Sequence, residues 1–172
     1  MLYMYLWYSL LCALSASALG SLMRDSELTR RIIGAAIRVH RDLGPGLLEA
    51  VYEECLCFEL ISNGIPFTRQ QPIPVVYRGN KLDCGYRADI IALSRVIIEI
   101  KAIASIAPIH EAVMLTYLRL SGCRIGLIIN FHSAVLKDGV HRFVWNYNPL
   151  EEETERRDAE VAEKCLIKRL EC

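Results

Sequence analysis

The fold of this chain is decided by the stretch Gly85-Tyr86-Arg87-Ala88-Asp89-Ile90-Ile91-Ala92-Leu93-Ser94-Arg95-Val96-Ile97-Ile98-Glu99-Ile100-Lys101. Two β-branched runs flank a short segment with turn character, which is the pattern of a β-hairpin. In the second run, the two-residue period of a strand places Glu99 and Lys101 on one face, roughly 6.7 Å apart. The hairpin is therefore predicted to have an apolar face and a face that carries a carboxylate and an amine.

The register of the hairpin decides whether a second acid joins that face. A loop of Leu93-Ser94-Arg95 places Ala92 opposite Val96. Counting back along the ladder then places Asp89 directly across from Glu99, with Cβ atoms about 5 Å apart. A two-residue loop would shift the register by one position and turn Asp89 to the other face.

Two carboxylates at this distance repel each other unless a divalent cation lies between them. Carboxylate oxygens suit Mg²⁺ or Mn²⁺, with water completing the coordination shell. A lysine on the same face can orient or deprotonate a metal-bound water, or neutralise charge on a phosphate. The residues alone leave a second interpretation open, an exposed hairpin face with an ordinary Glu/Lys pair.

Length and charge set few limits on function. With 172 residues, one domain is the default. The whole chain has 20 Lys and Arg and 20 Asp and Glu. Residues 24–149 hold 15 basic and 12 acidic side chains, a net charge of +3, and residues 150–172 hold 5 and 8, a net charge of −3. This balance permits nucleic-acid binding without indicating it.

Cysteine usage indicates a reducing compartment. The number of cysteines is odd and their spacing does not match a metal site, so free thiols and a cytoplasmic location are expected. The positions are Cys12, Cys55, Cys57, Cys84, Cys123, Cys165 and Cys172.

Residues 1–23 contain no charged side chain. An apolar run of about 20 residues can span a bilayer, and Ala16-Ser17-Ala18 is similar to the end of a signal peptide, although the basic start of such a peptide is missing. Three interpretations stay open: a cleaved signal or membrane anchor, an extension upstream of a true start at Met23, and an ordered additional helix.

Apolar residues at helical spacing, together with helix-breaking glycine and proline residues, predict three helices between residues 24 and 149. The first has Ser26 as its N-cap, and Leu43-Gly44-Pro45-Gly46 ends it, with the proline opening the next helical turn. The second spans residues 46–63. The third runs from about Ser105, its expected N-cap, to just before Gly122.

Between and after these helices, β-branched and aromatic runs predict strands. Residues 72–77 form a strand, and residues 78–81 a turn into the hairpin, which makes a three-strand meander. Residues 124–131 are nearly all apolar and predict a buried strand, parallel to a neighbour because a helical crossover precedes it. Residues 142–147 are a candidate edge strand, and residues 150–172 a charged helical tail.

This order of elements resembles the core of the PD-(D/E)XK nuclease superfamily and, more specifically, the GxxExxY protein family. The resemblance covers about residues 27–146. Its motifs are Val39-His40-Arg41-Asp42-Leu43-Gly44-Pro45, Gly46-Leu47-Leu48-Glu49-Ala50-Val51-Tyr52, Gly85-Tyr86-Arg87-Ala88-Asp89, Glu99-Ile100-Lys101, His110-Glu111-Ala112, Thr116-Tyr117-Leu118-Arg119 and Gly126-Leu127-Ile128-Ile129-Asn130-Phe131.

The resemblance implies an α/β fold, with a mixed sheet of a three-strand meander and a further strand after a helical crossover, flanked by helices. It implies a metal-dependent phosphodiesterase that acts on nucleic acid. DNA is the expected partner, and the choice between DNA and RNA stays open. Asp89 and Glu99 would hold Mg²⁺ or Mn²⁺, Glu49 would reach the metal directly or through water, and Lys101 would position or activate the water. The accessory candidates are Tyr52, expected to pack rather than react, and His110, Glu111 and Tyr117.

One position departs from the family pattern, because Val113 stands where relatives usually have glutamine. Valine cannot hydrogen-bond a water, a phosphate or a metal ligand. A catalytically weak or inactive module that binds nucleic acid or a protein partner is therefore the alternative function. A homodimer stays open, and a membrane is a partner only if residues 1–23 are retained.

Overall fold

The computed structural model describes residues 23–146. The interpretations of the apolar N-terminal segment, the charged tail from residue 150 onward and the last residue of the predicted edge strand lie outside this range. No helix within residues 23–146 is long and apolar enough to cross a bilayer.

Within the described residues, five strands form one mixed sheet in which neighbours follow chain order. Only the pair β3 and β4 is parallel, and the other three pairs are antiparallel. A helix connects β3 to β4, and a crossover of this kind is what a parallel pair requires. The predicted α/β fold with its meander and crossover strand is confirmed. The strands are β1 Phe67–Tyr77, β2 Asn80–Ala92, β3 Val96–Lys101, β4 Ile125–Asn130 and β5 Val140–Val144.

Three helices cover the sheet: α1 Asp25–Leu43, α2 Glu49–Ser62 and α3 Pro108–Ser121. Both predicted serine N-caps are wrong. Helix α1 begins one residue before Ser26, and its first turn carries Asp25 and Glu27, whose charges favour a helix N-terminus.

Helix α3, in contrast, starts later than predicted, at Pro108, and Ser105 lies in the preceding loop. Pro108 occupies the first turn, where a missing N–H costs nothing. The Nδ1 atom of His110 accepts a hydrogen bond from the backbone N–H of Ala107 at 3.0 Å. His110, at the third position of the helix, therefore caps the start of α3, the role that was expected of Ser105.

The start of α2 corrects a further prediction. Gly46 has a φ of 106°, which a right-handed helix excludes, so the chain stays irregular through Leu48. Pro45 accordingly belongs to this loop and does not open the helix. Glu49 is therefore the first residue of α2, and it lies in the first turn as expected.

The strand boundaries differ by a few residues from those expected. Strand β1 begins five residues before Pro72 because Phe67, Thr68 and Arg69 already pair with β2. The edge strand β5 begins at Val140, which pairs with Ile129. It therefore begins two residues before the predicted segment 142–147 and ends at Val144, within that segment.

The apolar residues divide into two cores, one on each face of the sheet. Helices α1 and α2 cover one face, and α3 covers the other, where Met114 and Leu118 contact the sheet. A Cβ atom at Gly126 of β4 would lie 2.8 Å from Cγ of Met114. Helix α3 thus packs closely on the sheet because position 126 lacks a side chain.

Candidate functional site

The hairpin of β2 and β3 brings two acids together. Ile90 pairs with Ile98 and Ala92 with Val96, which is the register of a three-residue loop. The loop closes with positive φ values at Leu93 and Ser94. Of the two registers that the sequence left open, this one places Asp89 across from Glu99.

Asp89 is held by hydrogen bonds to both of its carboxylate oxygens. Its Oδ2 accepts from the backbone N–H of Ile100 at 2.8 Å, and its Oδ1 accepts from Nε2 of Gln70 at 3.4 Å. Burial raises the pKa of Asp89 despite the opposing effects of the Ile100 N–H and the Lys101 charge. The site therefore fixes the orientation of this carboxylate, while burial disfavours its ionised form.

Glu99 has one paired oxygen and one unpaired oxygen. Its Oε1 lies 2.7 Å from Nζ of Lys101. Its Oε2 is buried and has no hydrogen-bond partner within the described part of the chain. Burial, followed by the charge of Asp89, raises the pKa of Glu99.

Lys101 lies half-buried among acids. Burial alone would lower its pKa, but the hydrogen bond and charge of Glu99, together with the charges of Glu49 and Asp89, raise the pKa of this lysine overall. Its side chain is therefore an ammonium ion at neutral pH. In this form it can bind a phosphate oxygen but cannot accept a proton.

Glu49 approaches from α2. Its Oε1 accepts a hydrogen bond from the backbone N–H of Ala102 at 3.0 Å, just after β3 ends. The exposed carboxylate is near enough for its charge to raise the pKa values of Glu99 and Lys101. Helix α2 and the end of β3 thus converge on one side of the site.

A cavity of about 120 Å³ adjoins the pair of Glu99 and Lys101. Helix α3 supplies its other lining residues, His110, Val113, Met114 and Tyr117. Burial raises the pKa of Tyr117 to about 12, so its hydroxyl stays protonated, and it donates to the carbonyl of Arg87 at 3.4 Å. Glu111 is exposed and does not line the cavity.

Tyr52 packs in the core, as the sequence analysis expected. Its ring stacks on Phe131 with centroids 4.4 Å apart. Its hydroxyl donates to the carbonyl of Gly44 at 2.6 Å and accepts from the N–H of Leu47 at 3.1 Å. Tyr52 therefore holds the loop that precedes Glu49.

Two polar residues near the site were missed from the sequence. The carboxylate of Glu53, a residue only 8% exposed, accepts from Arg69 at 3.0 Å and from Gln70 at 2.8 Å. Glu53 follows Glu49 by four residues, so helical spacing could have placed both acids on one side of α2. Gln70 lay outside the predicted first strand, which began at Pro72.

The expected convergence of three acids is only partly realised. No three His, Cys, Asp or Glu side chains between residues 23 and 146 form a group that could hold a metal ion. The carboxylate of Glu49 hydrogen-bonds to Ala102 instead of joining Asp89 and Glu99. The unpaired Oε2 of Glu99 beside Asp89 nevertheless suits a hard cation, because a buried carboxylate oxygen without a partner is costly.

Comparison with known proteins gives one family. Residues 26–143, more than half of the chain, match the family model of the PD-(D/E)XK nuclease superfamily. The match includes Glu49, Asp89, Glu99 and Lys101. No curated protein and no solved structure matches the chain.

Proposed function

This chain belongs to the PD-(D/E)XK nuclease superfamily, and on that premise we propose that it is a Mg²⁺- or Mn²⁺-dependent enzyme that hydrolyses phosphodiester bonds in nucleic acid. The observation that carries the proposal is the buried, unpaired Oε2 of Glu99 beside Asp89, with the ammonium of Lys101 at the same face. The motif Gly46, Glu49 and Tyr52 further supports assignment to the GxxExxY group.

In this proposal Asp89 and Glu99 hold the cation. When bound, the cation polarises the phosphate and lowers the pKa of a water molecule. The backbone N–H of Ile100 orients Asp89, so this ligand needs little reorganisation. Lys101 binds a non-bridging phosphate oxygen and neutralises its charge. Glu49 lies at the edge of the site, where its carboxylate orients water.

The size of the cavity favours a polymer as substrate. Pockets that enclose small ligands measure about 300–1,000 Å³, whereas this one has about 120 Å³. A phosphate group fits such a space, but a whole nucleotide does not. The scissile phosphate therefore enters from a strand of DNA or RNA that lies along the surface.

The lining of the cavity favours a second candidate function, a nuclease-like module that binds nucleic acid or a protein without efficient cleavage. Val113 presents a hydrocarbon wall beside Glu99 and Lys101. It cannot orient a water or a phosphate oxygen there. A strongly reduced turnover with intact binding would follow.

The deciding experiment measures cation binding and cleavage in the same preparations. Mg²⁺ and Mn²⁺ are titrated calorimetrically into wild type, Asp89→Ala and Glu99→Ala, and each protein is then incubated with single- and double-stranded DNA and RNA. We expect cation binding and cleavage in wild type only. Asp42→Ala, which removes an exposed acid of α1, is the matched control and should behave as wild type.

Two outcomes would count against this proposal. Absence of cation binding in wild type would exclude the metal-dependent reaction. Cation binding and nucleic-acid binding without cleavage of any substrate would select the second candidate function.

A further inference from the structure

Gln70 has an unusual backbone for a residue within a strand. Its φ is 50°, in the left-handed region, although it lies inside β1. Three of the other non-glycine residues with positive φ, Arg78, Leu93 and Ser94, lie in turns, and Asn146 follows β5. Among residues 23–146, Gln70 is thus the one non-glycine residue that adopts this conformation within a strand. Such a conformation is strained and persists only where the surroundings impose it.

The left-handed backbone accompanies two side-chain contacts. Nε2 of Gln70 donates to Oε2 of Glu53 at 2.8 Å and lies 3.4 Å from Oδ1 of Asp89. Both acceptors are carboxylate oxygens, so the amide must present its nitrogen and not its oxygen to them. The amide therefore bridges a buried acid of α2 and the first acid of the proposed site.

The charge of Glu53 is already compensated by a residue other than Gln70. Nε of Arg69 already lies 3.0 Å from Oε1 of Glu53. Gln70 adds a link from Glu53 to Asp89, and Asp89 belongs to the proposed cation site.

We propose that Gln70 is a positioning residue of the cation site, whose amide, anchored on Glu53, orients the Oδ1 atom of Asp89 for the ion. The inference rests on the proposed function. Ile100 fixes one oxygen of Asp89 and Gln70 fixes the other, so the carboxylate plane is held from two sides. Outer partners of this kind typically change metal affinity about 10- to 100-fold when they are removed.

Two substitutions separate the amide from the backbone strain. Gln70→Ala removes the amide but keeps the Cβ atom, for which a positive φ is sterically unfavourable. Gln70→Gly removes both the amide and this strain. Mn²⁺ is titrated calorimetrically without nucleic acid, and thermal unfolding is followed in a chelator. The control is Gln71→Ala, which truncates the neighbouring exposed glutamine.

We expect both Gln70 variants to bind Mn²⁺ about 10- to 100-fold more weakly than wild type. The midpoint of unfolding should be about 2–4 °C higher for Gln70→Gly than for Gln70→Ala, because glycine accepts the left-handed backbone. Gln71→Ala should bind Mn²⁺ as wild type does. Weak ion binding in a glycine variant that is no less stable than the alanine variant identifies positioning instead of a general loss of structure.

Equal Mn²⁺ affinity in wild type and both Gln70 variants would overturn the inference and leave the proposed function intact. An equal loss in Gln71→Ala would also overturn it, since the effect would then not be specific to the amide at position 70. If wild type itself binds no Mn²⁺, the proposed function fails, and the positioning role fails with it.

Discussion

Asp89 and Glu99 lie opposite each other on β2 and β3, and both have raised pKa values. Burial is the main cause for each acid, and the charge of Asp89 adds to the effect on Glu99. The hairpin thus concentrates negative charge, which is compensated in part by Lys101, the backbone N–H of Ile100 and the side-chain amide of Gln70. Without a cation, this arrangement should lower the stability of the protein at neutral pH.

The first prediction concerns this cost. A carboxyl whose folded-state pKa is raised contributes stability that is fully present below its unfolded pKa, ordinarily 3.8 for Asp and 4.5 for Glu. That contribution is lost as pH rises through the folded-state pKa. In a chelator, the unfolding midpoint of Asp89→Asn should therefore rise relative to that of wild type as the pH increases from about 4 to 7. At pH 7 it should be about 1–3 °C higher than the wild-type midpoint.

Circular dichroism melts at several pH values would measure this difference. Asp42→Asn serves as the matched control, since it changes an exposed aspartate away from the site. A constant difference between Asp89→Asn and wild type across the pH range would contradict the prediction.

The second prediction concerns stabilisation by the cation. Mg²⁺ at 100 times its dissociation constant should stabilise the protein by about 2.7 kcal/mol at pH 7.5. At pH 5 the stabilisation should be smaller, because protons compete for carboxyls with raised pKa values. Melts with and without Mg²⁺ at both pH values would test this, and Glu99→Gln should abolish the shift. A shift of equal size at both pH values would argue against binding at Asp89 and Glu99.

The third prediction separates the roles of Lys101. Lys101→Met keeps the aliphatic stem but removes the ammonium, so cleavage should fall about 10²- to 10³-fold. Mn²⁺ binding should be unchanged or tighter, because Oε1 of Glu99 loses its partner. Single-turnover cleavage and calorimetry would measure both effects, with exposed Lys137→Met as control. Loss of Mn²⁺ binding in Lys101→Met would indicate a structural role instead.

The fourth prediction treats Tyr52 as a packing residue. Tyr52→Phe keeps the stack on Phe131 but removes the hydrogen bonds to Gly44 and Leu47. Unfolding free energy should fall by about 1 kcal/mol, and the midpoint by about 2–4 °C. Cleavage measured well below the midpoint should stay within a few-fold of wild type. A large loss of turnover with unchanged stability would point to chemistry at the hydroxyl, and exposed Tyr77→Phe provides the comparison.

The fifth prediction tests whether Val113 limits catalysis. Val113→Gln places an amide in the cavity beside Glu99 and Lys101. One added transition-state hydrogen bond of about 1–1.4 kcal/mol would raise the cleavage rate about 5- to 10-fold. Val113→Leu adds bulk without an amide and should not raise the rate. Equal rates for both variants and wild type would show that the apolar wall is not limiting.

The sequence was most informative where local patterns decide the structure. The bounds of β3, Val96–Lys101, follow from a β-branched run with a period of two, and the loop at Leu93 sets the register. Both are properties of adjacent residues. The sequence therefore narrowed the position of Asp89 to two registers, and the structure adopts the one that places it opposite Glu99.

Features that depend on distant residues or on single backbone angles were harder to predict. The positive φ of Gly46 delays α2, although the local sequence Gly-Pro-Gly is compatible with an earlier start. The side chain of Gln70, whose φ is positive, contacts acids on α2 and β2 that lie 17 and 19 residues away in sequence. The link between Glu49 and Ala102 likewise requires two elements to dock.

The ion pair between Lys101 and Glu99 has a consequence for when the protein works. A divalent ion that binds must share Glu99 with the Lys101 ammonium or displace it. Its binding free energy is therefore less favourable than at two carboxylates without a paired lysine. We therefore expect weak ion affinity, with the resting protein empty of trace metals and active only where free magnesium is abundant.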